Sequence, residues 1–151
     1  MSSTDENEIY GLMQKKLDCL KTILGHTATV SELLDLGDTG GLEVTLDMRQ
    51  REIDESDKID RELSVLHNRD LNVFIKNMAG RRDRLGHIYE EIVTCLNEIS
   101  QLENENICKA GKLMVQISDY ISKLKQTSNA MKGYGIIGSH PNDGAFIDTK
   151  K

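Results

Sequence analysis

The sequence has no tryptophan, two phenylalanines and one proline among its 151 residues, and aromatic side chains make up 4% of it. A hydrophobic core must therefore be built from Leu, Ile and Met, which suits the narrow seam between packed helices. No apolar run approaches the roughly 18 residues that cross a bilayer, and the first ten residues lack a signal-peptide pattern. We therefore expect neither export nor a membrane span.

Basic residues are in the minority, since 19 Lys and Arg face 25 Asp and Glu and the formal net charge is −6. Nucleic-acid binding needs a basic excess on one face, so this balance argues against a nucleic-acid partner. The three cysteines, Cys19, Cys95 and Cys108, are odd in number and scattered. Such usage is typical of reduced thiols. The sequence therefore predicts a cytoplasmic protein.

The most regular pattern runs from Leu85 to Lys132, where apolar or small residues recur at steps of three and four. This spacing keeps one side of a helix apolar, and no proline interrupts it. At 1.5 Å per residue the helix would be about 70 Å long, which predicts an elongated molecule. Asn106 interrupts the pattern, and a polar residue there either fixes the register or marks where the core ends. The repeating positions are Leu85, Ile88, Ile92, Cys95, Ile99, Leu102, Ala110, Leu113, Ile117, Tyr120, Leu124 and Met131.

Two amphipathic segments precede this helix. The apolar stripe of the first is Ile9, Met13, Leu17, Leu20, Ile23, Leu24, Val30 and Leu34. The first is followed by Gly37 as a C-terminal cap, and the run Gly25-His26-Thr27 inside it is a weak point where a kink or break is expected. The run Asp38-Thr39-Gly40-Gly41 is expected to form a short turn, with Asp38 or Thr39 as the N-cap of the second segment. The second apolar stripe is Leu42, Leu46, Ile53, Ile59, Leu63, Leu66, Val73 and Phe74, with Gly80 as C-terminal cap and Asp83 as the next N-cap.

Short turns between helices favour antiparallel neighbours. We therefore predict an all-α fold, an elongated antiparallel three-helix bundle or coiled coil with a long third helix and a flexible C-terminal tail. The helices are expected at about 5–36, 42–79 and 83–132, within a bundle of residues 1–132. Residues 133–151 hold four of the twelve glycines and the only proline. They are expected to form a flexible tail that binds a partner.

The residues that could perform chemistry do not form a recognisable motif. No phosphate-binding loop, dinucleotide fingerprint or nucleophile elbow is present. Cys19 and Cys95 fall on or beside apolar stripes, where a cysteine is a small core side chain. The four histidines lie in four segments without metal-ligand spacing: His26, His67, His87 and His140. We expect no enzyme activity, no cofactor and no metal.

One enzymatic alternative rests on the run from Arg51 to Asp57, which is similar to the R-x-x-I-D-x-I-D helix of all-α chorismate mutases. That family binds a dicarboxylate through several Arg and Lys side chains. Gln50 stands where the family has its arginine, and Ser56 stands where it has isoleucine. A chorismate-mutase-like enzyme is therefore the remote alternative.

A broader resemblance covers the chain from about Leu33 to the C terminus. Asp38 with Leu42 and Leu46, followed by Arg49-Gln50 and Ile53-Asp54, resembles the middle helix of flagellar export chaperones of the FlgN/FliT type. Residues 96–106, which contain the run E-N-E-N, are similar to the long third helix of that family. Residues 132–134 and 146–151 are similar to its C-terminal tails.

The resemblance implies a cytosolic type III export chaperone for late flagellar substrates, the hook–filament junction proteins. Its partners would be a hook-associated client protein and the export apparatus. A client helix would lie on the C-terminal half of the third helix and contact the tail. The candidate partner-binding residues are Leu113, Ile117, Tyr120, Ile121, Leu124, Met131, Tyr134, Ile136, Ile137, Phe146 and Ile147.

Other interpretations of the same residues stay open. The stripe would also suit a self-associating structural or adaptor coiled coil, such as a homodimer. A regulatory helical bundle that binds a transcription factor or sigma factor is a further alternative. At Leu113 and Ile117, burial in the bundle core competes with partner binding as the explanation.

Overall fold

The computed structural model describes residues 3–67 and 76–133, and no strand occurs within these ranges. Helix α1 comprises Ser3–Leu36, α2 comprises Thr39–His67, and α3 comprises Arg84–Gly133. Residues 76–78 are helical as well. The predicted all-α class is confirmed. Residues 68–75 lie outside the described ranges, so the predicted extension of the second helix to residue 79, with Val73 and Phe74, is not described.

Helix α1 is continuous through Gly25, where the sequence suggested a kink or break. It ends as its sequence predicted, at Gly37, whose φ of 69° is in the left-handed region. The Gly37 N–H donates to the Leu34 carbonyl at 3.2 Å, and the Asp38 N–H donates to the Leu33 carbonyl at 3.0 Å. This pair of bonds is the Schellman motif, which satisfies carbonyls at the end of a helix.

Helix α2 begins at Thr39 rather than near residue 42, because Asp38 caps it directly. The Asp38 carboxylate accepts a hydrogen bond from the Gly41 N–H at 2.9 Å. A Cβ at Gly41 would lie 2.8 Å from the other carboxylate oxygen of Asp38. The two glycines that suggested a turn are therefore helical residues, and the second leaves room for the cap.

A similar junction leads into α3. Gly80 has a φ of 82°, and the Arg81 N–H donates to the Met78 carbonyl at 3.3 Å. Asp83 is the N-cap, since its carboxylate accepts from the Gly86 N–H at 3.2 Å. Its carbonyl accepts from the His87 N–H at 3.0 Å. Both caps were predicted from sequence, and both lie where local backbone chemistry requires them.

The chain divides into two compact units, residues 1–110 and residues 111–151. The first unit contains a hydrophobic core built from α1, α2, Met78 and the first half of α3. Burying one Leu, Ile or Met contributes roughly 1.5–3 kcal/mol, so this core is the main stabilising element. Its most buried apolar side chains are Ile9, Met13, Leu63, Met78 and Leu85.

The predicted core stripe of α2 is wrong at one position. Leu46 is 47% exposed, whereas Thr45 is 8% exposed and Ser56 is 6% exposed. The buried face of α2 follows Thr45, Ser56, Ile59 and Leu63, which are separated by steps of three, four and eleven residues, so they share one side of a helix. Thr45 and Ser56 are polar but face inward. A prediction based on apolar residues alone therefore selects Leu46, the neighbour of Thr45, in its place.

Polar side-chain pairs show how residue numbers run along neighbouring helices. Lys16 of α1 forms an ion pair with Asp60 of α2 at 2.5 Å. Farther along α1, Thr27 accepts a hydrogen bond from Arg49 at 3.0 Å. Residue numbers therefore rise along α1 as they fall along α2. Between α1 and α3 they rise together, because Asn7 contacts Arg84 and Ser31 contacts Lys109 at 2.7 Å.

Candidate partner-binding surface

Helix α3 changes character at Asn106. Its buried residues are Leu85, Gly86, Ile88, Ile92, Cys95, Ile99 and Asn106. Beyond Asn106, no described residue of the helix is buried, although apolar residues continue at the same spacing. The inward face of the first half of α3 therefore continues, in an uncovered form, in the second half.

We call the uncovered continuation the exposed stripe. Leu113 is half-buried, and the other members are between 38% exposed at Met131 and 63% exposed at Tyr120. From Leu113 to Met131 the stripe runs about 27 Å along the helix. Its members are Leu113, Ile117, Tyr120, Ile121, Leu124 and Met131.

Two apolar residues of the same segment were not among the predicted binding residues. Met114 is 71% exposed and Val115 is 61% exposed. Because successive residues turn by about 100°, Met114 borders the exposed stripe next to Ile121, whereas Val115 lies on the far side of the helix. Met114 therefore belongs to the candidate surface, and Val115 serves as an internal reference for it.

The predicted tail residues lie outside the described residues. They are Tyr134, Ile136, Ile137, Phe146 and Ile147. Their part in partner binding stays a prediction, whereas the six predicted residues on α3 are brought together on one helix face.

A polar layer lies at the end of the core. It consists of Thr27, Arg49, Glu103 and Asn106. The Asn106 amide donates to the Thr27 carbonyl at 3.1 Å, and Arg49 forms an ion pair with Glu103 at 2.7 Å. The Oδ1 atom of Asn106 is buried and has no hydrogen-bond partner in the part of the chain that the structure describes. The layer ties α1, α2 and α3 together at one level.

Arg81, just before α3, and Arg84, the first residue of α3, both contact side chains of α1. The Arg81 guanidinium lies 2.5 Å from the Asp83 carboxylate and 3.6 Å from Glu6. Arg84 lies over the ring of Tyr10, 4.4 Å from its centroid. Hydrogen bonding to Arg81, followed by that to the Gly86 N–H, lowers the pKa of Asp83 to about 2. Arg81 and Arg84 are thus used to hold the start of α3 against α1.

The three cysteines lie in α1 and α3. Cys19 and Cys95 are buried and Cys108 is exposed, and all three are free thiols. Burial is the main reason that the pKa values of Cys19 and Cys95 are raised, with nearby acidic side chains adding to it. Among residues 3–67 and 76–133, no group of three or more His, Cys, Asp and Glu side chains is arranged to hold a metal ion.

Hydropathy and comparison with known proteins do not identify a function for the chain. No helix in the described ranges has an apolar window long enough to span a membrane. No protein-family model, curated protein or solved structure matches the chain. The exposed stripe is therefore interpreted from its own chemistry.

Proposed function

We propose that this chain is a cytoplasmic chaperone for late flagellar export substrates, the hook–filament junction proteins. It holds a helical segment of its client along the exposed stripe, keeps that segment from aggregating and releases it to the export apparatus. The observation that carries the proposal is the stripe itself, a row of uncovered apolar side chains at helix-packing spacing. Amphipathic helices bind such rows through anchors at i, i+3, i+4 and i+7.

The remainder of the molecule supports this function as a scaffold. We interpret the opposing order of the α1–α2 pairs and the matching order of the α1–α3 pairs as an antiparallel three-helix bundle or coiled coil. Its residues have no catalytic role in the proposal, and no cofactor is needed. The side chains that would hold a client are apolar, and apolar contact is undirected enough to permit release.

Methionine gives the surface a second property that a chaperone needs. Met114 and Met131 are unbranched and adapt to irregular surfaces, so they tolerate more than one client sequence. Tyr120 adds a large ring with a polar tip, a type of side chain enriched at protein interfaces. The mixture favours protein binding over a rigid small-molecule site.

The direct test is a titration with segments of the hook–filament junction proteins encoded in the same genome. Replacing Ile117 and Leu124 by serine removes two central anchors and should weaken binding by at least about tenfold. Val115→Ser is the matched control, since it removes an exposed apolar side chain from the far side of the same helix. Far-UV circular dichroism verifies that all variants fold. Absence of binding by every junction protein, or equal losses in Val115→Ser, would contradict the proposal.

The tail is tested separately by deleting residues 134–151. Full burial would contribute roughly 1.5–3 kcal/mol for each of four apolar side chains, Ile136, Ile137, Phe146 and Ile147. The conformational cost of ordering the segment offsets much of that. We expect client affinity to fall by about ten- to thirtyfold, with little change in the melting temperature. A strong drop in melting temperature with unchanged client binding would assign the tail to the core instead.

Self-association is the second candidate function, because a row at coiled-coil spacing is also the seam of a homodimer. Sedimentation of the free protein and of its client mixture distinguishes the two. A dimer that persists at nanomolar concentration and resists every client favours an adaptor. A monomer, or a dimer that client dissociates, favours the chaperone.

A further inference from the structure

Residues 111–133 differ in charge from the rest of the chain. This segment contains four lysines and one aspartate, a formal charge of +3, whereas the whole chain carries −6 and the other residues therefore carry −9. All four lysine side chains are exposed, and none forms an ion pair with the residues that the structure describes. The lysines are Lys112, Lys123, Lys125 and Lys132, and the aspartate is Asp119.

The lysines follow both edges of the exposed stripe. Each is the chain neighbour of a stripe residue and therefore lies about 100° around the helix from it. Lys112 and Lys123 are eleven residues apart, about three turns, and lie along one edge. Lys125 and Lys132 are seven residues apart, about two turns, and lie along the other edge. At Leu124 the stripe has a lysine on each side.

Long lysine side chains can lay their methylene stems beside an apolar seam and keep the ammonium group at its rim. A helix that packs on the stripe would place its own rim residues against these groups. Carboxylates in those rim positions gain attraction, and lysines or arginines there are repelled. The rim thus selects among helices whose apolar faces are alike.

We propose that the client segment held by the exposed stripe is an acidic amphipathic helix, with Asp or Glu on both sides of its apolar face. The assignment rests on the client-binding function proposed above and specifies its partner class. Two features of the surface support it: the stripe is an exposed apolar row at helix-packing spacing, and Asp119, which lies on the same edge as Lys112 and Lys123, offsets only one of the four lysines at its rim.

The same charge disfavours a second copy of this stripe as the occupant. Pairing two stripes would bring eight lysines together around one seam, and like charges at such rim positions destabilise a pair. An anionic membrane surface would also attract a basic amphipathic face. It is retained as an outcome of the experiment.

The experiment uses the full-length protein and two designed peptides of about 21 residues, or three heptads, with identical leucine seams. One peptide has Glu at the rim positions and the other has Lys. Fluorescence anisotropy at about 0.05 M and 0.5 M salt measures affinity, since screening removes rim electrostatics at the higher concentration. Vesicles containing phosphatidylglycerol and phosphatidylcholine form a third arm. The expected result is binding of the Glu peptide at least about tenfold tighter at low salt, with a smaller difference at high salt.

Variants locate the effect on the stripe. Lys123→Glu combined with Lys125→Glu should weaken the Glu peptide by about tenfold at low salt and strengthen the Lys peptide. Replacing both by arginine retains the charge and should leave affinity within about twofold. Lys15→Glu combined with Lys58→Glu is the control, because these lysines are exposed on α1 and α2. It should change binding by less than about threefold.

The outcomes separate this inference from the proposed function. Equal affinity for the two peptides, no binding of either, or binding to vesicles alone would overturn the acidic-helix assignment. If junction-protein segments lose affinity in Ile117→Ser with Leu124→Ser but not in the charge-reversed variant, the chaperone function stands and the acidic class is wrong. If the Glu peptide binds as expected and no junction protein does, the acidic class stands and the flagellar client is wrong.

Discussion

Gly86 and Gly25 both lie within helices, yet replacing each with alanine is expected to change stability in opposite directions. The helical gain from Gly to Ala, about 1 kcal/mol in a helix interior, is common to both. The two sites differ in the space available to the added methyl group. A comparison of the two variants therefore measures the effect of the close approach of Arg81 to Gly86 at the start of α3.

At Gly86 the methyl group has no space. An added Cβ would lie 2.0 Å from the carbonyl oxygen of Arg81 and 2.5 Å from its carbonyl carbon. These are backbone atoms, so relief requires the turn before α3 to move by more than about 1 Å. Overpacking of this kind costs typically 1–3 kcal/mol and more where backbone must shift. The contact is with backbone, so a cost near the upper end of this range is expected, and after subtraction of the helical gain Gly86→Ala should lower the free energy of unfolding by about 2 kcal/mol.

At Gly25 the methyl group meets nothing within 4 Å. The residue is exposed in the middle of α1. Alanine there restricts the unfolded chain and suits the helix, so Gly25→Ala should raise the free energy of unfolding by about 0.5–1 kcal/mol. The melting temperature should rise by a few degrees, on the order of 2–4 °C per kcal/mol for a chain of this size.

Urea denaturation followed by far-UV circular dichroism measures both changes. The double variant should show the sum of the two, because the glycines lie in different helices and the two added methyl groups have no neighbour in common within 4 Å. Equal stabilisation in both single variants would refute the described approach of Arg81 to Gly86. A loss at Gly25 would instead show that α1 needs glycine there, as a kinked helix would.

Three further predictions concern single side chains. The pKa of Asp83 is lowered to about 2, so its ion pair stabilises the fold above the unfolded pKa and this stabilisation is lost as the pH falls from about 4 to 2. Asp83→Asn retains a capping oxygen but not the charge. Its melting temperature should therefore lie below that of wild type at pH 6 and converge with it at pH 2. Cys108 should react with a thiol reagent in the native protein well before the two buried cysteines do, as peptide mass spectrometry of partly labelled protein will show; simultaneous labelling would contradict their burial. Asn106→Leu removes both the unpartnered buried oxygen and the amide that donates to the Thr27 carbonyl. Because relief of the unpartnered oxygen outweighs one hydrogen bond, the variant should raise the free energy of unfolding in urea by about 1 kcal/mol, whereas a fall would mean that the amide is a net stabiliser.

The helix ends were the most predictable part of the fold. Gly37, Asp38 and Asp83 act through bonds to residues three to five positions away. Gly80 acts through its left-handed backbone. These roles therefore follow from local sequence. The start of α2 was less predictable, because Gly40 and Gly41 suggested a turn. Their helical conformation depends on the Asp38 carboxylate being close to Gly41, a detail that residue type alone does not provide.

Burial was predicted well where the inward side chains are apolar and poorly where they are polar. Ile9, Met13 and Leu63 were placed correctly on their stripes. Leu46 was not, because its neighbour Thr45 takes the inward position. Whether a threonine faces a core depends on how the adjacent helix is aligned. The periodicity of one helix gives no information about that alignment.

The candidate surface was predicted as a set of residues on one helix face, whereas burial at Leu113 and Ile117 was left open. Both halves of α3 have the same apolar spacing, and spacing specifies which residues share a side rather than what covers them. The one sequence signal at the transition is Asn106. Its two interpretations, a register-fixing residue and the end of the core, are both consistent with its position in the structure.

These two roles of Asn106 have one physical cause. A buried amide is tolerated only where it finds a partner, and here its Nδ2 atom reaches the Thr27 carbonyl. Sliding α3 along α1 by one turn would break that bond and place the amide against apolar side chains, at a cost of about 1–3 kcal/mol. The polar layer therefore fixes the alignment of the helices while ending their apolar seam. Because the alignment is fixed, the residue at which the buried face of α3 gives way to the exposed stripe is fixed as well.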